Sequence, residues 1–240
     1  MITKIVSVEQ LLSICHKDHF SYARGQCVFR GQSDHRFQLV PSISRSKFTH
    51  NSVEAFEESI FTIFKREAKG YTPEVPHTEW EWLALAQHHG VPTRLLDWSY
   101  NPLTALYFAV EDEQDVDGAI FSVHAPYSVS KEALASSPFK ITQPEKYFPA
   151  IISPRIKAQE GLFIAIDDLH NPLDSIKGCR WSIKKFIVPR NVKASIKYTL
   201  FRMGVHGASL FPDLDGLARR LRWQMGASPL STPKCNVDAT

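Results

Sequence analysis

The sequence predicts a single α+β domain, a small mixed or antiparallel sheet flanked by helices. Three observations lead there. Apolar residues recur at helical spacing in several separate segments. Between them lie short apolar runs bounded by turn residues, as strands are. Neither an internal repeat nor a linker-like stretch divides the chain, so residues 1–225 read as one domain and residues 226–240, small and polar, as a frayed tail.

Taken in order, Ser7 starts a helix with Gln10 three residues on as its capping-box partner. Val8, Leu11, Leu12 and Cys15 form its apolar stripe. Cys27 to Gly31 reads as a strand ending in a turn, and residues 33–51 as irregular. A second helix covers about 52–69, with Val53, Phe56, Ile60, Ile63, Phe64 and Ala68 inward. Glu79 to His89 forms a third, stopped by Gly90 and Pro92. Thr93 to Trp98 is extended, and Asn101-Pro102 opens a helix with an N-cap acceptor and a preset φ. Glu111 to Asp117 is an acidic, solvated turn. Gly118–Val123, Leu162–Ile166 and Ile183–Val188 are strands, and residues 125–149 a surface excursion. Asn191 caps a helix running to Met203, with Gly204 as its stop, and Phe211 to Gly216 opens a last helix.

Composition bounds function loosely. The chain has 240 residues, 43% of them apolar and 11% aromatic, enough for a sizeable core. A net charge of +3 is too small to indicate nucleic-acid binding by itself. Cys15, Cys27, Cys179 and Cys235 form no C-x-x-C pair, which fits a reducing cytoplasm. No signal peptide, membrane span or metal-ligand spacing is visible, so the expectation is a cytoplasmic protein without a metal.

The chemistry-bearing residues concentrate between Ala86 and Ala109, where two imidazoles (His88, His89), Arg94, Asp97 and Trp98 crowd a helix end, a short strand and a helix start. Arg94 and Asp97 read equally as an ion pair bracing the turn or as ligand contacts. His88 either serves a site or favours its helix C-terminus as a cation. Gln159 and Glu160 adjoin a strand, so only one of them can face a given cleft. One of Asp213 and Asp215 reads as a helix cap. Lys184, Lys185, Arg190, Lys193 and Lys197 form one basic cluster and Arg219, Arg220 and Arg222 another. These leave a non-catalytic nucleic-acid or nucleotide module as an alternative.

Four runs resemble the FRG domain family: Phe29-Arg30-Gly31-Gln32, the stretch from Ala86 to Ala109, Arg155 to Phe163, and Leu210 to Ala218. His89 stands where that family carries an aromatic residue such as tyrosine, while His88 fits the pattern. The resemblance implies a bacterial or phage-associated domain, and leaves open a protein-interaction sensor in phage defence. A second similarity is to ADP-ribosyltransferases: a strand ending aromatic-Arg-Gly, then a strand with Thr93 followed by Ala105-Leu106-Tyr107-Phe108-Ala109. It implies an ADP-ribosyltransferase-like fold and an NAD-using enzyme, a toxin or anti-phage effector, with a nucleic acid or protein as acceptor and no membrane partner. Arg30, His88 and Glu160 are then the expected catalytic residues. Gln32, Thr93, Arg94, Asp97, Tyr107 and Phe108 are the expected NAD contacts.

Overall fold

A computed structural model describes residues 3–16, 25–47, 51–72, 75–112, 115–150, 153–176 and 181–226. Its frame is a seven-stranded sheet. In chain order the strands are β1 (Thr3–Lys4), β2 (Cys27–Gln32), β3 (Leu95–Ser99), β4 (Gly118–His124), β5 (Glu145–Tyr147), β6 (Gly161–Ala165) and β7 (Ser182–Val188). Across the sheet they lie β1-β7-β4-β2-β3-β6-β5. β1 runs parallel to β7 and the remaining pairs are antiparallel. The helices among the described residues are α1 (Val8–His16), α2 (Val53–Glu67), α3 (Glu79–His88), α4 (Pro102–Val110), α5 (Lys131–Leu134), α6 (Pro154–Ala158), α7 (Arg190–Arg202), α8 (Gly207–Leu210) and α9 (Leu214–Gly226).

The expected mixed sheet is present, and strand alternation sorts the core. Phe29, Ile120, Phe186 and Val188 face α1, α4 and α7. Val28, Leu96, Trp98, Phe121 and Leu162 face the other way, under Leu39, Leu173 and Trp181. At the β5 edge, Leu95, Phe163 and Tyr147 pack on Trp80, Leu83 and Phe61. Glycine brings α4 down onto the sheet. A Cβ on Gly31 would stand 1.8 Å from the Ala105 carbonyl oxygen, and one on Gly118 2.2 Å from that of Ala109.

Several expectations are corrected. Leu12 and Ile63 are exposed, and Glu57 is buried on α2 instead. Residues 125–149 are more than a surface excursion. They carry α5 and edge strand β5, and the Trp80 indole N–H donates to the Ala133 and Ser136 carbonyls at 3.0 and 3.1 Å. The residue capping α7 is Pro189, not Asn191, and Asp117 Oδ1 accepts from the Arg190 N–H at 2.8 Å. The acidic turn is only partly solvated, since the Glu111 carboxylate meets Lys197 at 2.8 Å; Glu113 lies outside the described residues. So do residues 227–240, with Cys235, and Cys179; Cys15 is half-buried and Cys27 buried. No helix is long and apolar enough to cross a membrane among the described residues.

Candidate functional site: a hollow at the β2–β3 split

The two central strands barely pair. β2 and β3 share one paired position, Phe29 with Ser99, while their outer neighbours stay in register along their length. Past that position they part, and the gap is bridged by a side chain: Arg30 Nη1 donates to the Asp97 carbonyl oxygen at 2.6 Å. A hollow of about 220 Å³ opens over the split. Phe29, Gly31, Ala105 and Phe108 supply its apolar wall, and Ser99, Thr104, Asp97, Arg30, Arg155 and Gln159 its polar one. The close seating of α4 on Gly31 is what brings Thr104, Ala105 and Phe108 to the gap.

Arg30 is mostly enclosed. Burial lowers the affinity of its guanidinium for a proton, Asp97 opposes that, and Arg45 adds to it. Its Nε and the indole N–H of Trp98 are buried donors without a partner among the described residues. Such groups are held by water or ligand in native proteins. The Asp97 side chain, by contrast, is 62% exposed at the mouth, 3.8 Å from Arg30 Nη1. A relay orients it. Thr93 Oγ1 donates to Gln87 Oε1 at 2.7 Å, and Gln87 Nε2 donates to Asp97 Oδ2 at 3.1 Å. Thr93 itself is buried and accepts from the Leu95 N–H, so it braces the corner from behind.

Arg155, at the start of α6, brings a second guanidinium to the hollow. It lies on the Phe211 ring, 4.6 Å from the centroid, and Arg219 lies on the same ring at 4.7 Å. Gln159 is the member of its pair that lines the hollow, with Nε2 donating to the Leu210 carbonyl at 3.0 Å. Glu160 sits in the turn with φ 48°, exposed, and accepts from Asn101 Nδ2 at 3.3 Å.

The other expected residues lie elsewhere. Arg94 is buried and does not meet Asp97. Its Nη2 and Nε donate to Glu57 Oε2 at 2.7 and 3.0 Å, its N–H to Oε1 at 2.7 Å, and its guanidinium lies 5.1 Å from the Phe139 ring centre. Burial pushes the Glu57 carboxyl up, and Arg94 pulls it back. Tyr107 faces α7 and α9 beside Glu111, where burial pushes its phenol up. Gln32 donates to the Gln38 carbonyl at 3.3 Å behind the gap. His88 lines a small neighbouring cavity, with Nδ1 3.4 Å from Ser153 Oγ. Burial, His89 and Arg155 lower its pKa against the pull of Asp97. These influences favour the neutral imidazole, the form that accepts a proton.

Much of the basic cluster around β7 is tied to the protein. Lys185 Nζ donates to the His35 carbonyl at 2.6 Å, Lys193 Nζ to that of Ser33 at 2.6 Å, and Arg190 Nη1 to that of Asp115 at 3.2 Å. Asp213, rather than Asp215, is the cap, accepting from the Gly216 N–H at 2.8 Å. No group of His, Cys, Asp and Glu among the described residues is placed to hold a metal ion.

The decisive likeness is of sequence, and it covers the strand, the corner and the helix that build the hollow. Residues 25–118 match the FRG domain. Within the matched stretch the Phe, Arg and Gly have separate tasks. Phe29 fills the core under α4, Arg30 spans the split, and Gly31 lets α4 approach. Arg155 and Gln159 lie beyond the matched residues. Neither a curated protein nor a solved structure matches the chain. Sequence reasoning gave Arg155, Ser99 and Thr104 no place in the site, and left Gln159 open against Glu160. Arg155 carried one signal, as the first residue of the third family-like run.

Proposed function

We propose that the hollow is a nucleotide site and that its reaction is cleavage of the nicotinamide–ribose bond of NAD, as in ADP-ribosyltransferases. The observation that supports this most is the joint presence, over one strand gap, of two guanidiniums and one accessible carboxylate. Arginine grips phosphoryl oxygens bidentately, where lysine is a point charge. Arg155, resting on the Phe211 ring face, offers its N–H groups to a pyrophosphate, and Arg30 neutralises it from below. Phe108 offers an aromatic surface to the nicotinamide.

When the C–N bond breaks, its electron pair leaves with nicotinamide and positive charge builds on the ribose. Asp97 stabilises that charge in this reading, in place of Glu160, which is turned outward. The oxygen of water or of an acceptor then bonds the sugar carbon and gives up its proton to solvent. Sites that enclose a small ligand span roughly 300–1,000 Å³. At about 220 Å³ this one holds one end of a dinucleotide and leaves the rest over the rim.

Nicotinamide release from NAD by the purified chain tests the reading. The wild type is expected to release it, and Asp97→Asn to do so at least about a hundredfold more slowly. The Asp97 side chain is largely solvent-exposed, so the variant should fold. Absence of both release and NAD binding at millimolar concentration would overturn the reading.

A further inference from the structure

α9 is mounted inside out. Its single buried residue is Gly216, whose Cβ position would lie 1.8 Å from the Phe211 carbonyl oxygen. On the same side Arg219 lies on Phe211 and Trp223 packs at 5.0 Å on Phe201. One glycine, one arginine and one tryptophan thus hold the helix to the body. Leu214, Leu217, Leu221 and Met225 recur at helical spacing on the opposite side, 81%, 37%, 45% and 86% exposed. An amphipathic helix normally turns such a stripe to the core. Here it faces outward along the whole of the helix.

The charges beside the stripe say what fits it. Asp215 and Arg222 are seven residues apart, two turns, and therefore on one flank, acid toward the N-terminus and base toward the C-terminus. When two such helices pack antiparallel, each flank meets the same flank of the other. Asp215 of one copy then meets Arg222 of the second, twice over, as a two-fold interface requires. The helix dipoles are opposed in the same arrangement. An anionic membrane surface would instead favour a polar face rich in Lys and Arg without acids beside the stripe.

We infer that the outward face of α9 docks a second copy of this chain, helix against helix and antiparallel. A helix of 13 residues is about 20 Å long. Alone it covers less than the roughly 1,200 Å² of a stable interface, so the dimer forms weakly and with concentration.

Sedimentation of the full chain over a concentration series tests this. A monomer–dimer equilibrium is expected. Leu221→Glu should weaken it at least about tenfold, with circular dichroism and the unfolding midpoint unchanged because the residue is exposed. Asp215→Arg and Arg222→Asp should each weaken it, and the double exchange should restore it. A chain that stays monomeric at several hundred micromolar overturns the inference. So does a dimer indifferent to Leu221→Glu, or binding to anionic vesicles without self-association.

Discussion

Arg94 and Arg155 carry the same head group into opposite surroundings. Arg94 is surrounded by Glu57, the Pro138 carbonyl and the Phe139 ring, and its side chain is only 3% exposed, out of reach of a ligand. Arg155 rests on Phe211 and is exposed. The sequence could not separate them. The partner of Arg94 lies 37 positions back, on a helix whose stripe is rotated so that Glu57 points inward. Which of Gln159 and Glu160 faces the hollow was settled by the positive φ at Glu160, a backbone choice without a signature in a non-glycine residue. Asp34 shows the same dependence on local partners in titration. Arg36 donates to it from Nε, Nη2 and its own N–H, holding the carboxyl down at about 2. A group with a depressed folded pKa adds stability that is present above its unfolded pKa, near 4, and lost as pH falls toward 2. Asp34→Asn should therefore unfold at a lower temperature than wild type at pH 6. The gap in melting midpoint should close between about pH 4 and pH 2, and a constant gap would refute this.

Elements were more legible than side-chain partners where a cap or a breaker marks them. Asn101 does accept from the Leu103 N–H at 2.9 Å, and Gly90 does take a left-handed φ of +82°. The edge strands β1 and β5 are two and three residues long, too short to show a period, and only their pairing to β7 and β6 makes them strands. Two glycines at element ends separate packing from conformation. Gly31→Ala puts a methyl group against backbone that cannot rotate away, so α4 must lift, at a cost of about 3 kcal/mol. Gly90→Ala meets nothing within 4 Å and costs only the strain of its φ, about 1 kcal/mol. Urea unfolding of the two variants checks the order, and Gly31→Ala should also close or distort the hollow.

At the scale of the whole molecule, the hollow exists because two strands far apart in sequence are neighbours that fail to zip. Pairing of β2 with β3 at Phe29 and Ser99 alone leaves the gap, α4 roofs it, and α6 carries Arg155 to its rim. None of these adjacencies follows from periodicity. The sequence supplied Arg30, Asp97 and Phe108 as candidates, while strand order supplied Arg155 and the turn before β6 chose Gln159 over Glu160. The most direct measurement is calorimetric titration of NAD into the wild-type chain and into Arg155→Ala. Saturable binding at one site is expected, weakened roughly tenfold in the variant by loss of the phosphate contact. Equal affinity in the two proteins, or no binding to the wild type, would contradict a nucleotide site at the β2–β3 split.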